Sequence, residues 1–241
     1  MGKKGLYGTL KEAGKEVSNR YSGRMEYFYL TPGSLSLLNP LITQFKKHVK
    51  GALLDAGAGR LSYKNILVDY CDSYRSVDID VRGEPVDAVG DVQVLPLKEQ
   101  TFDTVFCTQV LEHVPEPQLA LDEIYRVLKK GGKAIITVPH LAYLHNEPHD
   151  YFRYTRHGLK YMLEKSGFQV EEIIPAGGLL SFLGHIVSTL LVNLTAAIPL
   201  VNKLTVFLNK YFVILVTATD NSLERKKVYA LNYIVIGRKV P

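Results

Sequence analysis

The feature that most constrains the fold is a short apolar run that breaks into a glycine turn. Residues 52–55 read Ala-Leu-Leu-Asp, and Ala-Gly-Ala-Gly follows over 56–59. The run predicts a buried strand, and Gly57 and Gly59 allow the positive φ that a tight turn needs. We expect a helix to begin near Leu61 and to point its positive end at the turn, where Asp55 also stands. This order is typical of a site for a nucleotide-like ligand, but short Gly-x-Gly turns also occur without one.

The following residues alternate short apolar strands with amphipathic helices. Strands are predicted at 74–79, 86–89, 102–107 and 133–138, with helices near 61–71 and 117–130. Two later strands, at 169–175 and 228–238, need no crossover helix between them and can pair antiparallel at one edge. The pattern predicts an α/β fold with a mainly parallel sheet and helices on both faces.

Composition sets the protein class. The chain has 241 residues, of which 46% are hydrophobic and 22% charged, as in soluble globular proteins. We expect an N-terminal helical cap over 1–48 and a main domain over 49–241, interrupted by an apolar helical insert at about 178–222. The first residues lack the apolar core of a signal peptide, and both cysteines lie in apolar contexts. A cytoplasmic protein is therefore expected.

The net charge of +5 is concentrated near the two ends of the chain. A solvated basic face explains this distribution, and an anionic surface or substrate is the alternative. The sequence has no arginine-rich arm, zinc-ligand spacing or aromatic RNA-binding signature, so nucleic acid is not an expected partner.

Three acidic residues end three of the predicted strands: Asp55, Asp78 and Asp91. The carboxyl ends of parallel strands meet at one edge of a sheet, where ligands bind. Asp78 follows Gly59 at a distance suited to ribose hydroxyls, and Asp91 can accept a hydrogen bond from an adenine amino group. Three carboxylates without a lysine or arginine cluster argue against a phosphate-rich ligand and favour one with a cationic end.

Six segments in order resemble the class I S-adenosylmethionine-dependent methyltransferases of the ubiquinone/menaquinone-biosynthesis-like group: Leu53–Gly59, Val77–Ile79, Gly90–Pro96, Thr101–Val105, Leu111–Val114 and Glu123–Gly132. The resemblance implies a Rossmann-like seven-stranded sheet with an antiparallel terminal hairpin, and S-adenosylmethionine as cofactor. It also implies the cofactor-binding residues: Asp55, Gly57 and Gly59 near the methionine part, Asp78 and Ile79 at the ribose, Asp91 and Val92 at the adenine, and Thr108 and Gln109 at the methionine end. The chain departs from the family at Leu61, where a third glycine is frequent.

The segment 139–155 follows the fifth predicted strand and supplies the acceptor-side candidates. Methyl transfer needs aligned reactants, and an oxygen acceptor also needs a base. We expect His145 or His149 to be that base, Asp150 to orient it, and Tyr151 and Arg153 to shape the acceptor pocket. Alternatively, Asp150 and Arg153 form only a structural pair. The segment resembles methyltransferases of bacterial glycan and natural-product pathways, and its histidine spacing matches no standard metal site, so no metal is expected.

The insert is unusually apolar, with no Asp, Glu, Lys or Arg from Ile173 to Asn202. Leu179–Val201 is long enough to cross a bilayer. The flanking strands should belong to one sheet, however, so the chain must return to the side it left. We expect a helical hairpin that caps the active site, offers an apolar acceptor pocket or forms a homodimer face. The alternative is shallow docking at the inner face of a membrane, helped by Lys203, Lys210 and the basic residues 225–227.

These features lead to one functional prediction and two alternatives. The prediction is an S-adenosylmethionine-dependent methyltransferase that methylates a small-molecule, glycan or lipid-linked acceptor, with oxygen as the expected atom. A non-catalytic scaffold or S-adenosylmethionine-binding protein of the same fold is the first alternative, and the three intact acids oppose it. A nicotinamide-dependent oxidoreductase is the second, and the Asp91–Pro96 segment and the terminal strand pair oppose that one.

Overall fold

The computed structural model describes residues 6–81, 83, 85–223 and 227–240. Within these residues seven strands form one sheet in the order β3-β2-β1-β4-β5-β7-β6. They are β1 (Ala52–Ala56), β2 (Ser73–Asp78), β3 (Ala88–Val89), β4 (Phe102–Thr108), β5 (Leu128–Pro139), β6 (Phe168–Ala176) and β7 (Asn232–Lys239). Strands β1 to β5 pair in parallel, and β7 pairs antiparallel with β5. The predicted Rossmann-like, mainly parallel sheet with an antiparallel terminal strand is confirmed.

Seven α-helices are present in the described part of the chain: α1 (Leu6–Tyr21), α2 (Pro32–His48), α3 (Lys64–Leu67), α4 (Pro117–Val127), α5 (Arg156–Lys165), α6 (Leu179–Thr195) and α7 (Pro199–Leu223). The chain divides into two compact units. The helical unit comprises Met1–Asn39 and Ala176–Ala230, and the sheet unit comprises Pro40–Pro175 and Leu231–Pro241. The predicted domain limits, 1–48 and 49–241, stay a prediction.

The core of the sheet unit lies on the central strands. Leu54 of β1, Val105 of β4 and Ile135 of β5 are fully buried. Phe106 packs edge-to-face on Phe45, with ring centroids 5.2 Å apart. Burial of each such side chain contributes about 1.5–3 kcal/mol, so these strands hold the carboxyl edge of the sheet rigidly.

Several element boundaries differ from the sequence prediction: β3 and β7 begin later than expected, and two helices are shorter. The helix expected over 61–71 is reduced to the single turn α3, because Leu61 has a φ of +56°, outside the helical region. The helix expected over 117–130 ends at Val127, because Leu128 pairs with Phe102 and begins β5. The glycine pair at 131–132 therefore lies in a strand with a register shift, not at a helix end.

The helical unit has its own small core of Val17, Leu30 and Val192. The apolar run 179–201, expected to be long enough for a membrane span, is divided between α6 and the start of α7. Among the described residues, one helix meets the length and composition needed to cross a membrane, over Pro199–Asp220, with a mean hydropathy of 1.4.

Candidate active site

The glycine turn after β1 is closed by its own hydrogen bonds. The amides of Gly57 and Ala58 both donate to the Val77 carbonyl of β2, at 2.8 and 3.0 Å. The Gly59 amide donates to Asp78 Oδ2 at 2.7 Å. These three turn amides are therefore already bonded within the protein, so a ligand beside the turn would meet other groups.

The two glycines of the turn have different reasons to be glycine. Both have positive φ, +76° at Gly57 and +58° at Gly59. A Cβ on Gly57 would lie 2.4 Å from Val110 Cγ2, whereas a Cβ on Gly59 would meet nothing within 4 Å. Gly57 is thus required by packing, and Gly59 borders open space that a ligand can enter.

Two predicted cofactor carboxylates stand at the ends of adjacent parallel strands. Asp55 lies in β1 and Asp78 ends β2, and the strands pair in parallel with Asp55 opposite Ser76. Asp55 is 2% exposed, accepts a hydrogen bond from Tyr74 Oη at 2.7 Å, and its Oδ1 finds no partner among the described residues. Burial raises the pKa of Asp55 to about 7, against the opposing hydrogen bond from Tyr74. A cationic ligand would favour the ionised carboxylate.

The third carboxylate, Asp91, lies in the loop after β3. It accepts hydrogen bonds from the Gln93 backbone amide and from Gln93 Nε2. Val92 is buried, whereas Ile79, directly after β2, is 62% exposed. An exposed apolar side chain beside the carboxyl ends of β2 and β3 suits a flat aromatic ring such as adenine.

The Asp91 loop is held from α4 by an ion pair. Glu123 Oε2 accepts from the Leu95 amide at 2.7 Å. Arg126 binds Glu123 through two nitrogens and donates to the carbonyls of Leu95 and Leu97. A bidentate guanidinium–carboxylate pair is geometrically specific, so α4 fixes the loop that carries Asp91.

The predicted methionine-end residues follow β4 and are tied to β5. Thr108 Oγ1 shares a hydrogen bond of 2.7 Å with Thr137 Oγ1. Gln109 has a φ of +53°, and its Nε2 donates to the same Thr137 oxygen at 3.1 Å. Both side chains are therefore fixed at the carboxyl end of the β4–β5 pair.

The acceptor-side segment is organised around Asp150. Its carboxylate, with a side chain 1% exposed, accepts from Arg153 Nη1 and Nη2 and from the His145 amide, at 2.7, 2.8 and 2.7 Å. Burial opposes ionisation, but these hydrogen bonds outweigh it and lower the pKa of Asp150 to about 2. The His145 ring Nδ1 lies 3.7 Å from Asp150 Oδ2.

The Arg153 guanidinium donates several hydrogen bonds within this segment. Besides Asp150, it donates to the carbonyls of Ala142, Tyr143 and Phe152. This geometry favours the structural Asp150–Arg153 pair that the sequence offered as the alternative. Contact between Arg153 and an acceptor stays a prediction.

The other two predicted acceptor-side residues face each other. His149 is exposed, and its Nδ1 lies 3.1 Å from Tyr151 Oη. Tyr151 is 45% exposed, and its amide donates to the Glu112 carbonyl at 2.8 Å. Among the described residues, no carboxylate lies within ion-pair distance of the His149 ring, whereas Asp150 lies beside His145.

Glu112 and His113, which lie in a 3-10 turn after β4, were not among the predicted site residues. Glu112 is fully buried, and neither carboxylate oxygen has a hydrogen-bond partner among the described residues. Burial raises the pKa of Glu112 to about 8. His113 Nδ1 donates to the His149 carbonyl at 2.6 Å, and its ring lies edge-to-face on that of His145. The signal available was the quoted segment Leu111–Val114, which directly follows β4.

Glu112, His113 and His145 also bring three potential ligand atoms within 4.8 Å of one another. These distances alone would allow a metal ion between them. The expectation of no metal concerned the histidines of 140–149, and it stays a prediction.

Comparisons with known proteins agree with this geometry. Residues 54–136 match the model of a methyltransferase domain family. The ubiquinone biosynthesis O-methyltransferase of Coxiella burnetii is 30% identical over 127 residues, which cover 46% of this chain and 52% of that protein. The chain spans about half or less of the length of the curated relatives it matches.

Solved structures show the same fold. A putative methyltransferase of Haloferax volcanii, solved with the activator Trm112, has a TM-score of 0.61 at 13% identity, over 96% of this chain and 98% of that one. Phosphoethanolamine N-methyltransferase 2 of Haemonchus contortus, solved with S-adenosyl-L-methionine, has a TM-score of 0.54 at 16% identity, over 93% of this chain and 60% of that one. The sheet order and the matched family decide the assignment. Residues 54–136 match a methyltransferase domain, and the chain has the class I methyltransferase fold.

The residues present fit the donor of class I methyltransferases. Asp55 has an unpartnered buried oxygen within the described structure, and Gly59 borders open space. The matched family segment includes Asp55, Gly57, Gly59, Asp78 and Asp91. Every residue assigned to the cofactor lies in the sheet unit.

Proposed function

We propose that this protein transfers a methyl group from S-adenosylmethionine to an oxygen atom of a small-molecule, glycan or lipid-linked acceptor. The observation that carries the proposal is the pair of carboxylates, Asp55 and Asp78, at the ends of adjacent parallel strands beside the open Gly59. S-adenosylmethionine supplies an activated methyl group on a cationic sulfur. The carboxylates favour that cation over a phosphate-rich ligand.

Asp78, Ile79, Asp91 and Val92 would hold the nucleoside part. Asp78 already accepts from the Gly59 amide, so its position relative to the turn is fixed before a ligand arrives. The Glu123–Arg126 pair fixes the Asp91 loop in the same way. Preorganised groups of this kind lower the ordering cost of binding.

On the acceptor side we assign the base to His145, supported by Asp150. Asp150 stays ionised because Arg153 and the His145 amide lower its pKa to about 2. Asp150, 3.7 Å from His145 Nδ1, and the Tyr143 carbonyl, 3.2 Å from it, favour the imidazolium that forms when His145 takes a hydroxyl proton. They offset the Arg153 guanidinium, which lies 3.4 Å from the same nitrogen. His149 has no comparable carboxylate among the described residues and pairs with Tyr151, so we place it at the acceptor pocket instead.

The experiment measures donor binding and methyl transfer separately. Calorimetry should detect S-adenosylmethionine and S-adenosylhomocysteine, and Asp78→Asn should weaken both by about 10- to 100-fold, since it removes a charged acceptor. Asp69→Asn, at an exposed acid of the same unit, is the matched control. If the wild-type protein binds neither ligand, S-adenosylmethionine is not its methyl donor.

Transfer of a labelled methyl group to a panel of hydroxyl acceptors tests catalysis. His145→Gln should lower kcat by about 10²- to 10⁴-fold and leave the donor Kd unchanged. His149→Gln should act mainly on acceptor KM. Donor binding without transfer to any acceptor would favour the non-catalytic alternative, and binding of a nicotinamide dinucleotide instead would favour the oxidoreductase.

A further inference from the structure

The two helices of the insert are apolar on the outside and polar on the inside. On α6 the buried positions are Ser181, Gly184, Ser188 and Val192. On α7 the buried positions include Asn202, Asn209, Thr217 and Asp220. The exposed positions are large and apolar, among them Leu183, Leu190, Leu194, Leu204, Phe207, Leu208 and Leu215. A helix of a water-soluble protein normally has the opposite arrangement.

The buried polar groups hold the helical unit together. Asp220 accepts from the Leu180 amide and from Ser181 Oγ, which joins the end of α7 to the start of α6. Asn202 donates to the Val192 carbonyl, and Asn209 donates to the Leu30 carbonyl. Small residues and side-chain hydrogen bonds between helices, with large apolar residues outside, are the packing arrangement of helices that face lipid.

Within the described residues, the exposed charges of the hairpin are all positive. From Ile173 to Thr219 the sequence contains no acidic residue, and Lys203 and Lys210 are its charged side chains. Both lysines are exposed, and they lie two turns apart on the same side of α7. Lys210 lies over the ring of Tyr29, with Nζ 5.0 Å from the centroid. Glu224, Arg225 and Lys226, which follow α7 in the sequence, lie outside the described residues.

We propose that the exposed face of α6 and α7 docks into one leaflet of a lipid bilayer with anionic headgroups. The apolar side chains would enter the acyl region while the lysines stay at the headgroup level. An apolar groove of about 340 Å³ between the helices, lined by residues such as Leu183, Val187 and Leu215, adds apolar surface that an acyl chain can cover. The proposal does not rest on the proposed methyl transfer.

Two features favour a bilayer over a second copy of the chain. The exposed apolar side chains run along both helices, and α7 alone extends for about 37 Å. A second copy would also bring the same positive charges together, since the hairpin offers no exposed acid to pair with them within the described residues. A span is disfavoured, because Lys210 lies near the middle of α7 and a charge at the bilayer centre is costly.

Vesicle flotation tests the surface. The wild-type protein should float with vesicles of phosphatidylcholine and phosphatidylglycerol. Changing Leu204 and Leu208 together to Asp should lower the partition at least about tenfold, since each removes an apolar contact and adds a negative charge. The matched control changes two exposed apolar residues of the sheet unit, Leu119→Asp with Tyr161→Asp, and should float like the wild type.

The lysines test the headgroup contact. Lys203→Gln and Lys210→Gln should each weaken binding to anionic vesicles by about fivefold at low salt, and should not change binding to pure phosphatidylcholine. Wild-type flotation that is equal with both vesicle types would overturn the anionic part of the proposal.

A fluorescence reporter keeps the test valid if the Asp variant fails to fold. The chain has no Trp, so Leu208→Trp provides a unique probe, with Tyr161→Trp as its control. Vesicles should shift the emission of the first probe to shorter wavelength, and acyl-brominated lipids should quench it. The emission of the Tyr161→Trp probe should change neither with vesicles nor with brominated lipids. Absence of vesicle binding, or a lipid-free dimer that the Leu204/Leu208 change dissociates, would overturn the proposal.

Discussion

At the scale of single residues, the buried carboxyl of Asp55 destabilises the folded protein once the pH rises above the ordinary pKa of an aspartate. It is buried, and one carboxylate oxygen has no partner among the described residues. Its pKa is raised from an ordinary value of 3.8 to about 7, mainly by burial. As the pH rises between these values, the unfolded chain releases this proton and the folded chain keeps it. The free energy of unfolding therefore falls over this window and is lowest above it.

Asp55→Asn should remove this penalty. We expect the variant to resemble the wild type near pH 4 and to gain up to about 4 kcal/mol in the free energy of unfolding at pH 8, because each pKa unit corresponds to about 1.4 kcal/mol. The same variant should bind the cationic donor more weakly. Denaturant titrations at pH 4, 6 and 8 measure the first effect and calorimetry the second.

Tyr74→Phe is the companion control for Asp55. It removes the hydrogen bond that lowers the pKa of Asp55, so stability should fall further at pH 8 than at pH 4. A stability difference for Asp55→Asn that does not change with pH would contradict the linkage.

At the scale of elements, α4 positions the loop that carries Asp91, although α4 itself contributes no residue assigned to the donor. The guanidinium of Arg126 joins Glu123 to the carbonyls of Leu95 and Leu97. Asp91 and Val92 stand in the same loop, so a helix on one face of the sheet controls donor contacts at its edge. This is a positioning role, exerted through backbone geometry.

Arg126→Lys keeps the positive charge and removes the bidentate contact with Glu123. We expect the donor Kd to rise about 3- to 10-fold, mostly through faster dissociation, because the Asp91 loop becomes less ordered. Stopped-flow binding of S-adenosylhomocysteine measures the dissociation rate. Arg20→Lys, at an exposed position of α1, should change nothing. An unchanged donor off-rate in Arg126→Lys would contradict the positioning role.

The elements also show how far the sequence determines the fold. The sequence pattern predicted the existence of every strand of the sheet, and it did so most directly for β1 and β4, whose apolar residues are buried. It did not predict the loss of the helix after the glycine turn. Leu61 adopts a positive φ that is rare for a non-glycine residue, and it does so while buried, so tertiary packing outweighs local preference there. The start of β5 was missed for a similar reason, since the pairing of Leu128 with Phe102 is not visible in sequence.

The candidate site was only partly predictable for the same reason. Acids at strand ends are visible in sequence, because strand ends follow from periodicity. The partners that give them their properties, such as Tyr74 for Asp55 and Arg153 for Asp150, depend on side-chain geometry. Glu112 and His113 appeared only within the family segment Leu111–Val114, because neither the burial of Glu112 nor the contact of His113 with His149 is visible in sequence.

At the scale of the whole molecule, the chain is an enzyme-like sheet unit with a helical unit built from two separate segments. The sheet unit contains all residues assigned to the donor and to the proposed base. The insert leaves the sheet after β6 and returns to its neighbour β7. A short linker can therefore replace it without reordering the strands.

A chain that joins residues 40–175 to residues 231–241 through a short Gly-Ser linker should retain the donor site. We expect a Kd for S-adenosylhomocysteine within about fivefold of the full chain, since no assigned donor residue is removed and shortening the connection lowers its closure entropy. The shortened chain should also lose flotation with anionic vesicles. Calorimetry and flotation on the same preparation measure both results.

Asp78→Asn in the shortened chain provides the control, because it should weaken the donor in both backgrounds to the same extent. Additivity is expected for a site whose partners are all retained. A shortened chain that keeps its sheet by circular dichroism yet binds no donor would show that the helical unit contributes to the donor site. Retained flotation would instead place the lipid contact in the sheet unit, so the two failures point to different parts of the molecule.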